Sequence, residues 1–269
     1  MSAVEELERG RALSARGAWL DAHAALTSAD RSARLGSADI EQLATAAYML
    51  GRLDEYVDAM ARAHQLHLDT GDGRRAARCA FWAGMSLLLA GEMGRGTGWI
   101  GRAQRLIDGD CVEQGYLGLP AAYRCQMQGD YEAGAAVAGD AAAIAQRFGD
   151  RDLFALAIHA QGTMLIRRGR ILDGLALLDE AMVAVTSGEV SPIPSGMVYC
   201  GVILACRAAF APARAGMDSG ADALVREPAR HGGVHRPLPR PPRRGQAARG
   251  GVGRRARGGA SRRRSRRAR

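Results

Sequence analysis

Between residues 1 and 210 the apolar positions fall into segments that read as helices. β-branched runs with period-two alternation are missing, so strands have little support. Glycines punctuate the segments at near-regular intervals: Gly17, Gly51, Gly91, Gly129 and Gly169, spaced by 34, 40, 38 and 40 residues. Two residues after each comes a large apolar side chain (Trp19, Leu53, Met93, Tyr131, Ile171). Twelve residues after each comes alanine (Ala29, Ala63, Ala103, Ala141, Ala181), and four before comes an apolar or small residue (Leu13, Ala47, Leu87, Cys125, Leu165). A period of this length marks a helical repeat. It predicts first-of-pair helices over about 4–15, 39–50, 73–90, 112–128 and 151–168, and second-of-pair helices over about 18–33, 53–69, 93–107, 131–147 and 171–186.

Each offset has a physical reading. Glycine relieves the backbone where one helix stops and the next begins. The large residue plugs the joint, and the alanine three turns on lets a neighbouring helix approach. Gly71-Asp72 and Gly149-Asp150 combine a stop signal with an N-cap. Pro120 is expected to kink or split its helix. Ser191-Pro-Ile-Pro-Ser195 breaks the run, and Ser195 to Phe210 reads as one further apolar helix. Pairs this short cannot bury their apolar faces alone and must stack.

Period and offsets resemble tetratricopeptide repeats. The likeness extends to Ala76-Ala-Arg-Cys-Ala-Phe-Trp82, Gly91-Glu-Met-Gly-Arg95, Gly101-Arg-Ala-Gln-Arg-Leu106 and Ala176-Leu-Leu-Asp-Glu-Ala-Met182, which resemble the repeat region of LuxR-type transcriptional regulators. The resemblance covers residues 1–210. It implies an all-α fold, a right-handed α-solenoid, acting as a non-enzymatic scaffold that binds a protein, peptide or small effector on its concave face. The family's C-terminal helix-turn-helix is missing and no Gly-x-x-x-x-Gly-Lys occurs, so neither DNA binding nor ATP hydrolysis is carried over.

Charge divides the chain in two. Residues 1–210 hold 20 Arg against 25 acids, a balance of −5, whereas residues 211–269 hold 17 Arg against 3 acids, a balance of +14. The body therefore offers no electrostatic footprint for nucleic acid. The tail is rich in Arg, Gly, Pro and Ala, with no Ile, Phe, Tyr, Trp or Cys after Phe210, and is expected to be disordered. One reading makes it an arm that binds nucleic acid through phosphates, the sole route by which DNA becomes a partner. The other makes it a frameshift product: the chain has no Lys and no Asn, as a GC-rich gene would give. A shifted frame from Gly216 permits another copy of the Gly–large–Ala template. On that reading the protein is a truncated regulator, and its last helix, lacking a cover, promotes self-association.

Individual sites are sparse. The five cysteines form no CxxC and read as buried thiols in a reducing cytoplasm. The acidic N-terminus carries no signal-peptide core, and no apolar run approaches a membrane span. His64, His67 and Asp69 share a helix and read as a solvated face, with no metal set completed. Cys200 and Cys206 read as core. Gly94-x-Gly96-x-Gly98 reads as close helix packing and not as a dinucleotide loop. No catalytic constellation and no cofactor motif stand out. Candidate residues for the concave face are Tyr48, Trp82, Tyr123, Arg124, His159 and Gln161, chosen as large or polar side chains on first-of-pair helices; Trp82 and Tyr123 read equally as core.

Overall fold

The structure, a computed structural model, describes residues 2–207, and all of them lie within one compact unit. The tail from 208, with its arm and frameshift readings, lies outside the described residues. Ten helices follow one another: α1 (Ala3–Ala15), α2 (Trp19–Ser32), α3 (Ser37–Met49), α4 (Leu53–Asp69), α5 (Gly73–Leu89), α6 (Met93–Leu106), α7 (Val112–Gln128), α8 (Tyr131–Phe148), α9 (Arg151–Arg167) and α10 (Ile171–Thr186). An eleventh, α11, occupies 192–207. No described residue is in a strand. Consecutive helices pack as antiparallel pairs, and among the odd-numbered helices α1 also touches α3, and α7 touches both α5 and α9.

The turn inside each pair is built identically. Gly17, Gly51, Gly91, Gly129 and Gly169 all have φ between 69° and 84°, where only glycine sits without strain. The amide after each glycine donates to the carbonyl five residues before itself: Ala18 to Leu13, Arg52 to Ala47, Glu92 to Leu87, Asp130 to Cys125 and Arg170 to Leu165. Each glycine amide donates to the carbonyl three residues back. Those two bonds define the Schellman motif. Asp72, Asp130 and Asp150 then cap the next helix, their carboxylates accepting from the amides of Arg75, Ala133 and Leu153.

Packing follows the offsets. The five repeat alanines are at most 2% exposed. Trp19, Leu53, Tyr131 and Ile171 are half-buried at their joints, but Met93 is 53% exposed and plugs nothing. Helices approach closest in pairs three and five. A Cβ on Gly96 would fall 3.0 Å from the Gly84 carbonyl oxygen, and one on Gly174 would fall 2.5 Å from that of Gly162. Of the three glycines at 94, 96 and 98, Gly96 alone makes such an approach, to α5 of its own pair.

Two expectations need correction. Pro120 sits inside one unbroken helix, so α7 is not split. The residue forfeits a single bond to the Tyr116 carbonyl, while packing against α8 and α9 holds the helix together. The last helix begins at 192, a turn before Ser195. Pro192 and Pro194 fall in its first turn, where amides have no intrahelical acceptor and proline loses nothing.

Ion pairs fasten several repeats to their neighbours. Arg11 grips Asp39 with two bonds of 2.7 and 2.8 Å, and Arg62 grips Asp30 with two of 2.8 Å. Arg78 bridges buried Glu113 (3.0 Å) and Asp150 (3.2 Å) and lies over the Tyr116 ring, whose hydroxyl donates to Asp150. Phe81, Trp82 and Tyr116 meet edge to face at the centre of the core.

Candidate functional site

The odd-numbered helices enclose a cavity of about 720 Å³ on the concave side. Its wall comes from the ends of α3 (Tyr48, Met49) and α5 (Met85, Leu89), from α7, from the length of α9, and from α11. Helix α11 reaches across the groove: Ile193 and Met197 join the apolar cluster built on α3 to α5. The second pair and the last helix thereby meet around one space.

Counting back from the glycine that ends each helix reveals a rule. Position −2 gives Met49, Leu89 and Arg167; position −3 gives Tyr48, Gln126 and Ile166; position −6 gives Met85, Tyr123 and Thr163; position −10 gives Leu119 and His159. Steps of one, three and four residues trace one helical face. Each of these positions recurs on two or three helices, and the residue types there set much of the cavity's chemistry; Leu156, Ala160 and Met164 of α9 line it too.

That chemistry is mostly apolar, with a few polar groups. The Tyr48 hydroxyl is pushed above its usual pKa by burial, with Cys200 adding to the effect, so it stays protonated and able to donate. The Thr163 hydroxyl donates to the His159 carbonyl (2.9 Å), leaving its oxygen free to accept. The His159 ring is pressed against Gly201 of α11, where any side chain would collide with it. Burial lowers its pKa, so the ring is neutral, and its Nε2 has no hydrogen-bond partner. At the rim Arg167 is exposed and, among the described residues, joins no ion pair. The site can hold an apolar body with an acidic or hydrogen-bonding end.

Of the six residues proposed from sequence, Tyr48, Tyr123 and His159 line the cavity. Trp82, Arg124 and Gln161 do not. Trp82 packs on Phe81 and Tyr116, Arg124 is exposed elsewhere on α7, and Gln161 lies against Gly139 of α8. Gln161, at −8, falls off the lining face; positions −9 and −5 line the cavity only on α9, as Ala160 and Met164, and not where Trp82 and Arg124 sit. Choosing by helix found the right elements; choosing by register within the helix would also have found Met85, Gln126, Thr163 and Arg167.

The histidine and cysteine expectations change too. His64 and His67 are not on a solvated face: they are 1% and 4% exposed. The Nδ1 of His64 meets the Ala76 carbonyl (2.8 Å) and its ring stands edge-on to Trp99, whereas His67 Nε2 meets Glu41 (2.7 Å). Asp69 is exposed and accepts from Gln65. Stacking of the next repeat over α4 covers both rings, which a single-helix reading cannot see. Cys79 and Cys111 are buried, Cys125 and Cys206 are half-buried, and Cys200 is exposed at the cavity wall instead of in the core.

No family model and no curated protein matches the chain. Among solved structures it is similar to a Rap protein complexed with competence and sporulation factor, at 13% identity over 70% of this chain and 56% of that one, with a TM-score of 0.54. The chain thus spans little more than half of the Rap structure's length. BtubC (BKLC) from P. vanneervenii is 15% identical over 71% of this chain and 91% of that one (TM-score 0.47). A putative kinesin light chain from Podosopora anserina, with nearly identical TPR-like repeats, is 12% identical over 70% and 96% (TM-score 0.43). At these identities the likeness is one of architecture, and the described residues form an all-helical, tetratricopeptide-like solenoid.

Proposed function

We propose that the protein is a non-enzymatic binding scaffold whose working site is the concave cavity. Its occupant is a short peptide or small effector with an apolar body and a carboxylate. The observation that carries this reading is one space of about 720 Å³ walled by five successive odd-numbered helices. That volume lies within the range of about 300–1,000 Å³ typical of ligand pockets. Arg167 at the rim is the partner for the carboxylate, and the Tyr48 hydroxyl donates within. The complex of Rap with competence and sporulation factor supplies a precedent for ligand binding by a similar fold. The strings at 76–82, 91–95, 101–106 and 176–182 support the finer reading, the sensory repeat region of a LuxR-type regulator acting in the cytoplasm. The abrupt change in composition after residue 210 supports a lost reading frame there, which resequencing codons 205–216 from source DNA tests. None of the described helices is long and apolar enough to cross a membrane.

The binding test is a pool of random pentapeptides with free C-termini, panned on the full chain and on Thr163→Arg. Sequences with apolar side chains that bind the parent and not the variant are expected, and amidating their C-termini should weaken them. Enrichment that is equal on both proteins places recognition elsewhere and defeats the reading.

A further inference from the structure

Away from the cavity, where α3, α4 and α5 meet, Glu41, His67 and Cys79 converge: a carboxylate oxygen, an imidazole nitrogen and a thiol sulfur all lie within 4.8 Å of one another. We propose that these three side chains form a binding site for a borderline-soft divalent transition ion of the zinc type.

The donor set selects the metal class. Thiolate and imidazole favour zinc or cobalt over magnesium or calcium, which take oxygen. Carboxylate and thiolate together carry two negative charges, enough to neutralise a divalent cation. Bonds of about 2.0–2.3 Å in tetrahedral geometry place such donors roughly 3.3–3.7 Å apart. Closing the cluster on an ion therefore asks for movements on the order of 1 Å. Glu41 and His67, now 2.7 Å apart, open slightly, and Cys79 swings in.

The surroundings favour the ion in three ways. His67 and Cys79 are 4% and 3% exposed, so packing holds both side chains beside the site before any metal arrives. The Glu41 side chain is 37% exposed, which gives the ion a route in from solvent and leaves a fourth position for water. The cations acting on Cys79 are engaged: Arg78 pairs with Glu113 and Asp150, and Arg75 lies 3.9 Å from Asp72. On binding, the Cys79 thiol gives its proton to solvent, its sulfur lone pair bonds the ion, and His67 binds as the neutral ring. Each donor comes from a different helix, so the ion clamps the second pair to the third. The spacing explains why the sequence hides this site. Glu41 and Cys79 stand 26 residues before and 12 after His67, separations that become contacts only when the pairs stack.

Cobalt(II) is the probe, titrated into the full chain after chelator treatment. One equivalent should bind and produce a sulfur-to-cobalt charge-transfer band with the intense visible absorption of a four-coordinate site. Zinc should displace it and raise the melting temperature. Cys79→Ser should erase the charge-transfer band while leaving the far-ultraviolet circular dichroism unchanged. Glu41→Gln, at the solvent edge and tolerant of folding, should weaken uptake by about tenfold or more. Absence of stoichiometric uptake overturns the proposal. So does a charge-transfer band that survives Cys79→Ser and disappears in Cys200→Ser or Cys206→Ser.

Discussion

The even-numbered helices and the odd-numbered ones obey the same period but use it differently. On α2, α4, α6, α8 and α10 the repeat fixes residue type: alanine twelve positions after the glycine, at most 2% exposed in every copy. On α5, α7 and α9 the repeat fixes direction and not residue type. The position six before the glycine carries Met85, Tyr123 or Thr163, and all three face the cavity. Framework positions are constrained by backbone contact, which tolerates no variation in size. Lining positions face open space, where chemistry is free to differ from one repeat to the next.

The sharpest way to break the framework side is Gly174→Ala. The added Cβ would sit 2.5 Å from the Gly162 carbonyl oxygen and 3.0 Å from the Ile166 amide, both backbone atoms that cannot turn aside. A loss of about 3 kcal/mol is expected in urea unfolding. Gly129→Ala separates conformation from contact, because nothing lies within 4 Å of its Cβ but φ is 78°. The expected loss is smaller, about 1–2 kcal/mol, the cost of left-handed backbone in an L-residue. If both variants lose the same amount, close helix approach is not the constraint on Gly174.

These two sites also show how far the sequence was legible. The Schellman turns at Gly17 through Gly169 are local: six residues carry the whole signal, and helix boundaries followed to within about two residues. The cavity is not local. Its wall needs α3 and α11, some 150 residues apart, to meet across the groove, and no offset in the sequence encodes how far a stack of pairs curls. The same holds for His64 and His67. His64 meets Ala76 and Trp99 of the next repeat and His67 lies beside Cys79 of that same repeat, so a reading confined to α4 places both in water.

A milder perturbation tests the lining side. Leu89 is 48% exposed at the position two before the glycine, so Leu89→Gln is expected to change stability by less than about 0.5 kcal/mol while reducing capture of apolar pentapeptides. Gln161→Leu, off the lining face at −8, is the matched control and should leave capture unchanged. If Gln161→Leu alters capture and Leu89→Gln does not, the register rule is wrong. On α11, Tyr199, Ile203 and Leu204 are 45%, 58% and 64% exposed. Such a face predicts concentration-dependent association in sedimentation velocity, which Ile203→Lys should weaken without lowering the melting temperature.

The gentlest test changes no residue. Burial pushes the Cys79 thiol up to about 12, with the Glu41 charge adding to the effect, whereas Cys200 is exposed at the cavity wall. Alkylation proceeds through the thiolate, and at pH 8 the fraction ionised at Cys79 is on the order of one in ten thousand. Iodoacetamide should therefore modify Cys200 within minutes and leave Cys79 untouched until the fold opens, as peptide mass mapping reads directly. A bound pentapeptide should slow modification of Cys200 and not that of half-buried Cys125, since only the first lines the cavity. Protection of both would mean that the ligand closes the whole solenoid. Protection of neither would move the binding surface off the odd-numbered helices altogether, and with it the division of labour between the two helix sets.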